Sequence, residues 1–272
     1  MMELLREMLS YPFIVRALTG GLLISLCASL LGVSLVLKRY SMIGDGLSHV
    51  SFGALSIALA MGWSPLKVSI PVVAAAAVLL LRITGNGKIK SDAAIAMISA
   101  GSLAVGIIVT SLTTGMTTDV SSYMFGSILA MSREDVVLSA VLSLIVLGMF
   151  ILCYNKVFAV TFDESFARAT GVRVSGYNTI LAVLTAVTIV LGMRMMGAML
   201  ISSLIIFPAL TSMRVFKSFS GVILSAGTVS VVCFFIGLVL SYVYPIPAGA
   251  SVVVVNMGAF GIFSVIQAVR RR

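Results

Sequence analysis

Residues 41–62 read SMIGDGLSHVSFGALSIALAMG. The run is apolar and of the length, about 20 residues, that a helix needs to cross the hydrocarbon core of a bilayer. Near its start it nevertheless carries Asp45 and His49, and His49 is the only histidine of the chain. Ionisable side chains within a membrane span cost several kcal/mol, and their default reading is functional. The spacing adds chemistry, because residues i and i+4 share one helix face with Cβ atoms about 5–6 Å apart. A carboxylate and an imidazole are thereby offered together. Imidazole favours zinc and related ions, and carboxylate adds oxygen character that manganese tolerates. Two ligands are too few, since structural zinc sites take four and catalytic ones at least three. A twofold dimer, in which one patch meets its own copy, would bring two Asp45 and two His49 together. The bland alternative is a buried acid–imidazole pair that only satisfies itself. Gly44 and Gly46 flank Asp45 and permit close backbone approach.

Outward from this run the chain is of the same character. Its 272 residues are 60% hydrophobic and 10% charged, and its mean hydropathy is +1.18. Soluble domains are about 45–50% apolar and about 25% charged, so a soluble enzyme, a DNA-binding domain and a disordered chain are all excluded. Nine apolar runs are expected to form helices, at about 15–37, 42–62, 66–82, 92–112, 136–153, 178–193, 196–213, 221–242 and 248–268. The expected fold is all-α: a single transmembrane helix bundle over 1–272 with eight or nine spans. The first run is long and is followed by Lys38-Arg39 rather than a small-residue cleavage site, so it reads as a retained span. The uncertain joint is Gly192-Met193-Arg194-Met195-Met196-Gly197, either a very tight turn between two spans or a break within one element.

Net charge is +9, and its placement gives direction. Alternate connections hold Lys38, Arg39, Arg82, Lys88, Lys90, Lys156, Arg168, Arg173, Arg214, Lys217, Arg270, Arg271 and Arg272, leaving Arg6, Arg16, Lys67, Arg133 and Arg194 for the other side. By the positive-inside rule the richer side is cytoplasmic. The N-terminus is then outside, the C-terminus inside, and nucleic acid is not an expected partner. Cys27, Cys153 and Cys233 lie scattered in apolar runs and read as small core hydrophobes. The 16 methionines are read as core packing rather than a soft-metal ladder.

The longest basic connection contains a second motif. Thr161 followed by Glu164 has the form of a capping box, and Gly171 suits a left-handed helix stop. A helix of two to three turns is expected at about 161–171, with Phe162, Phe166 and Ala169 on one stripe. It is either an amphipathic helix on the headgroups or a docking element for a cytoplasmic partner. The stretch Gly115 to Asp135 is expected to be a surface or re-entrant helix, and Pro208 to kink its span with Ser202 and Ser203 satisfying the freed backbone. Gly85-Asn86-Gly87-Lys88 is not a phosphate-binding loop, because Arg82 and Ile89 stand where Gly and Ser/Thr are required. If transport is active, its energy must come from another chain or an ion gradient.

At these residues the chain resembles the permease subunits of zinc/manganese ABC uptake transporters. The likeness rests on Lys38-Arg39 leading into Gly44-Asp45-Gly46-Leu47-Ser48-His49, on Tyr123-Met124-Phe125-Gly126-Ser127-Ile128-Leu129, and on Phe162-Asp163-Glu164 with Ala167 and Gly171-Val172. It continues in Met196-Gly197-Ala198-Met199-Leu200 and Ile205-Ile206-Phe207-Pro208-Ala209. Phe52-Gly53 departs from the Pro-Gly pair frequent in that family. The resemblance implies a homodimer in the bacterial cytoplasmic membrane, carrying two ATPase subunits and served by an extracytoplasmic metal-binding protein. It also implies that Asp45 and His49 coordinate a transported zinc, manganese or iron ion, with no permanently bound cofactor. Thr161, Asp163, Glu164, Phe166, Ala167 and Gly171 would then couple to the ATPase, which alone uses ATP, so this chain is not itself an enzyme. The competing readings are a proton-coupled secondary transporter or channel, and a permease for a larger metal chelate.

Overall fold

The computed structural model describes residues 6–8, 10–85, 90–113 and 133–270, and among these there is no β-strand. The helices are α1 (Pro12–Leu37), α2 (Ile43–Ala60), α3 (Pro65–Gly85), α4 (Ser91–Thr113), α5 (Arg133–Leu152) and α6 (Tyr154–Phe162). They continue with α7 (Glu164–Ala169), α8 (Val174–Met196), α9 (Ala198–Met213), α10 (Phe219–Val243) and α11 (Ala248–Arg270). The stretch from Gly115 to Asp135, expected as a surface or re-entrant helix, falls mostly in 114–132, outside the described residues.

Among the described residues, seven helices are individually long and apolar enough to cross a membrane: α1, α2, α3, α4, α8, α10 and α11. The eighth candidate is the pair α5 and α6, which bends by 69° at Cys153. The remaining apolar run, 196–213, folds as α9, of only 16 residues, roughly 24 Å at 1.5 Å per residue. It follows α8 after the single residue Gly197, whose φ of 86° and ψ of 159° lie in a region essentially reserved for glycine. Gly192 of α8 lies against the Ile201 side chain of α9. In one continuous helix those two residues would stand roughly 13 Å apart, so the chain reverses at Gly197. The ambiguous joint is therefore a tight turn between two helices.

The layering follows from the solvent. α1, α2 and α8 are buried over two-thirds or more of their apolar windows, whereas in α3, α4 and α11 less than a quarter is buried. In lipid, exposed apolar side chains such as Leu112, Leu152 and Val269 carry no penalty, and packing shape with polar pairing decides which helices touch. α1 runs through the centre and meets α5, α8, α9 and α10. Met193, Met195 and Met196 belong to the main core with Cys27, and all three cysteines are free. α9 continues through Pro208. The Ser202 and Ser203 hydroxyls donate to the carbonyls of Ala198 (2.9 Å) and Leu200 (2.9 Å), so they do not serve the backbone freed by the proline.

Polar contacts gather several helix ends at one end of the bundle. Lys38 at the end of α1 meets Glu164 and Asn178, the Tyr40 hydroxyl meets Thr84 of α3 at 3.0 Å, and Arg214 after α9 donates to Gln267 of α11 at 3.2 Å. Lys38 and Arg214 both come from the connections rich in basic residues.

Candidate functional site

α2 starts without a side-chain cap at Met42, and Asp45 falls in its first turn. An acid there faces the positive end of the helix dipole and its free amides, a favourable position for a carboxylate in an apolar setting. Two neighbours hold that turn in place. A Cβ on Gly44 would stand 3.0 Å from Ile205 Cδ1 and 3.4 Å from Ser202 Cα, and one on Gly46 would stand 2.5 Å from Ile95 Cγ2. The backbone on either side of Asp45 thus presses directly on α9 and α4. Ser202 precedes Met213, the last residue of α9, by roughly 16 Å of helix, which places the first turn of α2 well inside the bundle.

The carboxylate and imidazole point the same way, with Asp45 Oδ2 at 3.7 Å from His49 Nε2. That exceeds a hydrogen bond, so each group keeps lone pairs for a third party. The side chains are 45% and 16% exposed respectively, which leaves the pair open on one side. Among the described residues no group of three or more His, Cys, Asp or Glu side chains is placed to hold a metal ion. One chain therefore offers an ion two ligands from this pair.

The second motif folds differently from its expectation. Thr161 lies inside α6, and Asp163, in extended backbone, is the N-cap of α7: its Oδ1 accepts from Phe166 N at 2.9 Å. The capping box from Thr161 to Glu164 does not form, and the buried Thr161 hydroxyl has no partner. The expected single helix over 161–171 is split at Asp163 into the last turn of α6 and the six-residue α7. The physical reason is local, because the shorter Asp163 already satisfies the cap and releases Glu164. Gly171 does stop the helix. Its φ is 83°, and Gly171 N→Arg168 O (3.1 Å) with Val172 N→Ala167 O (2.9 Å) closes the reversed pair of bonds of a Schellman motif. The stripe also differs: Ala167 is buried with Val160 and Val174, Ala169 is exposed, and Phe162 packs on Phe158 and Phe219. Phe166 projects outward, 63% exposed.

Glu164 instead accepts from Lys38 Nζ at 2.7 Å and from Asn178 Nδ2 at 3.0 Å, while Lys38 also donates to Asn178 Oδ1 at 2.6 Å. Partial burial pushes the Glu164 carboxyl up, but the hydrogen bonds from Lys38 and Asn178 and the nearby Lys38 and Arg168 charges outweigh it and hold it below the ordinary value. Sequence reasoning missed this triad. Its members are separated by up to 140 residues, and the only local signal was a Lys-Arg pair ending an apolar run.

Residues 10–267 match the ABC 3 transport family. The chain belongs to that family, and its polytopic helix bundle is the fold of a membrane permease. It is 33% identical, over 92% of its length and 94% of the relative's, to a probable metal transport system membrane protein of Treponema pallidum. It is 27% identical to the manganese transport system membrane protein MntC of Halalkalibacterium halodurans, over 94% of this chain and 88% of that one. It is equally 27% identical to the high-affinity zinc uptake system membrane protein ZnuB of Haemophilus influenzae, over 92% and 96%. Among solved structures, PsaBC from Streptococcus pneumoniae in complex with Fab superposes with a TM-score of 0.86 at 28% identity, covering 96% of this chain and 94% of that one.

Proposed function

We propose that this chain is the permease subunit of an ATP-driven importer of zinc or manganese, with iron also within reach of its donor set. The observation that carries the reading is the half-open Asp45–His49 pair, 3.7 Å apart on one face of α2 inside the bundle. Family membership and the names of the relatives support the cargo class. The working unit is a homodimer in the bacterial cytoplasmic membrane, N-termini outside, in which the two pairs together supply four ligands to the ion in transit. An extracytoplasmic protein delivers the ion. Two ATPase subunits seat against α7, where the exposed Phe166 enters their surface, and ATP-driven closure rocks the pair through alternating access. Metal binding requires a neutral imidazole and an ionised carboxylate, so uptake falls as the medium is acidified.

The test is uptake of radioactive manganese or zinc into vesicles holding the whole assembly. Asp45→Ala and His49→Ala abolish uptake while the ATPase still co-purifies. Normal uptake by both variants would falsify the ligand assignment, and uptake by vesicles holding this chain alone would instead establish the proton-coupled transporter or channel.

A further inference from the structure

The Lys38–Glu164–Asn178 triad joins three elements at their ends: the C-cap of α1, the first residue of α7, and the start of α8. The Lys38 side chain is only 8% exposed, although its partner Glu164 is 47% exposed. An ion pair held in this way is weak evidence of stabilisation. Apolar contacts already fasten α7 from its other side, through buried Ala167 with Val160 and Val174.

The chain just beyond Lys38 gives the pair a direction. Arg39 adopts φ 63°, the one non-glycine residue described with positive φ, and the turn closes by Arg39 N→Val36 O (3.0 Å) and Tyr40 N→Leu35 O (2.9 Å). A side chain in that region is strained, so the turn is held by its bonds rather than by preference. Tyr40 is pinned to Thr84, and α2 begins at Ile43, two residues before Asp45. The charge that grips α7 is thus tied to the acid of the ion site by one short, bonded connection.

We propose that Lys38 is a positioning residue that transmits displacement of α7 to the first turn of α2, so that movement of the coupling helix resets the Asp45–His49 pair. This rests on the reading that α7 meets an ATPase and that Asp45 and His49 hold the ion. In this arrangement α7 has two working sides. Phe166 faces outward, and Glu164 faces inward onto the connection between α1 and α2.

The test uses the full assembly, this chain with its ATPase subunits and its binding protein, in sealed vesicles. Manganese uptake and ATP hydrolysis are read on this preparation, and equilibrium manganese binding on the same vesicles before the binding protein is added. Lys38→Met is expected to lower manganese transported per ATP hydrolysed about tenfold, within the range of ordinary coupling energies, with manganese binding kept. Lys38→Arg is expected to retain most of the ratio, and the exchanged pair Lys38→Glu/Glu164→Lys to recover it relative to Lys38→Glu alone. An unchanged ratio in Lys38→Met overturns the proposal, as does an equal fall in uptake and hydrolysis, which marks a merely structural role. If Lys38→Met does not assemble, the exchanged pair decides, and no recovery there overturns the proposal. His49→Ala in parallel isolates the ion-site reading, because it removes manganese binding whereas Lys38→Met does not.

Discussion

The contact beneath Asp45 sets a sharp steric test. In Gly46→Ala the new Cβ would stand 2.5 Å from Ile95 Cγ2, with Ile95 O the next atom at 3.7 Å. Carbon atoms rest at about 3.5–4.0 Å, so that single methyl is overrun by about 1.3 Å while its surroundings are not. Ile95 is buried and its β-branch has one preferred rotamer in a helix, so it cannot swing away. α4 must retreat from α2 at the level of the acid. Overpacking of this kind costs about 1–3 kcal/mol, and it displaces the turn that aims Asp45 and His49. The assay is the thermal midpoint of the detergent-solubilised assembly together with manganese uptake. Both should fall in Gly46→Ala. Ile95→Leu removes Cγ2 while keeping the side-chain volume, so Gly46→Ala/Ile95→Leu should recover most of both losses, with a coupling energy of about 1–2 kcal/mol. The reasoning fails if Gly46→Ala melts and transports like the parent, or if Ile95→Leu gives no recovery.

Two further expectations concern α7. Asp163→Ala removes the N-cap bond to Phe166 N, worth about 1 kcal/mol, and should speed amide exchange across 164–170 about fivefold by mass spectrometry, whereas Thr161→Ala should leave it unchanged. The Glu164 carboxyl is held below the ordinary 4.5. A depressed folded value contributes stability that is fully present above the unfolded value and is lost as pH falls through the folded one. The wild type should therefore melt above Glu164→Gln at neutral pH, with the gap closing only below about pH 4.5. A gap that is constant from pH 7 to pH 3.5 would refute the assigned triad.

Much of the helix plan was legible because transfer from water to lipid depends on local composition. Apolar runs of about 20 residues form helices whatever their neighbours, and the i,i+4 face of Asp45 and His49 follows from helix geometry alone. The stop at Gly171 was equally local, since the left-handed conformation selects glycine. The cap of α7 was misread because Thr161 and Asp163 both offer an acceptor, and sequence spacing does not say which one leaves the preceding helix. The reversal at Gly197 also lay beyond pattern, because a tight turn and a break share the same residues until Gly192 is seen against Ile201.

Composition and periodicity by themselves determined that this is a helical membrane protein with an acid and an imidazole on one face of its second helix. Tertiary structure decided which helices that face rests on, α9 through Gly44 and α4 through Gly46, and that Lys38 reaches Glu164 across 126 residues of chain. The division is physical. Burial in lipid rewards every apolar helix alike, so the choice of neighbours falls to close-packed shape and to the few polar groups that must find one another, and neither is written in any local stretch of the sequence.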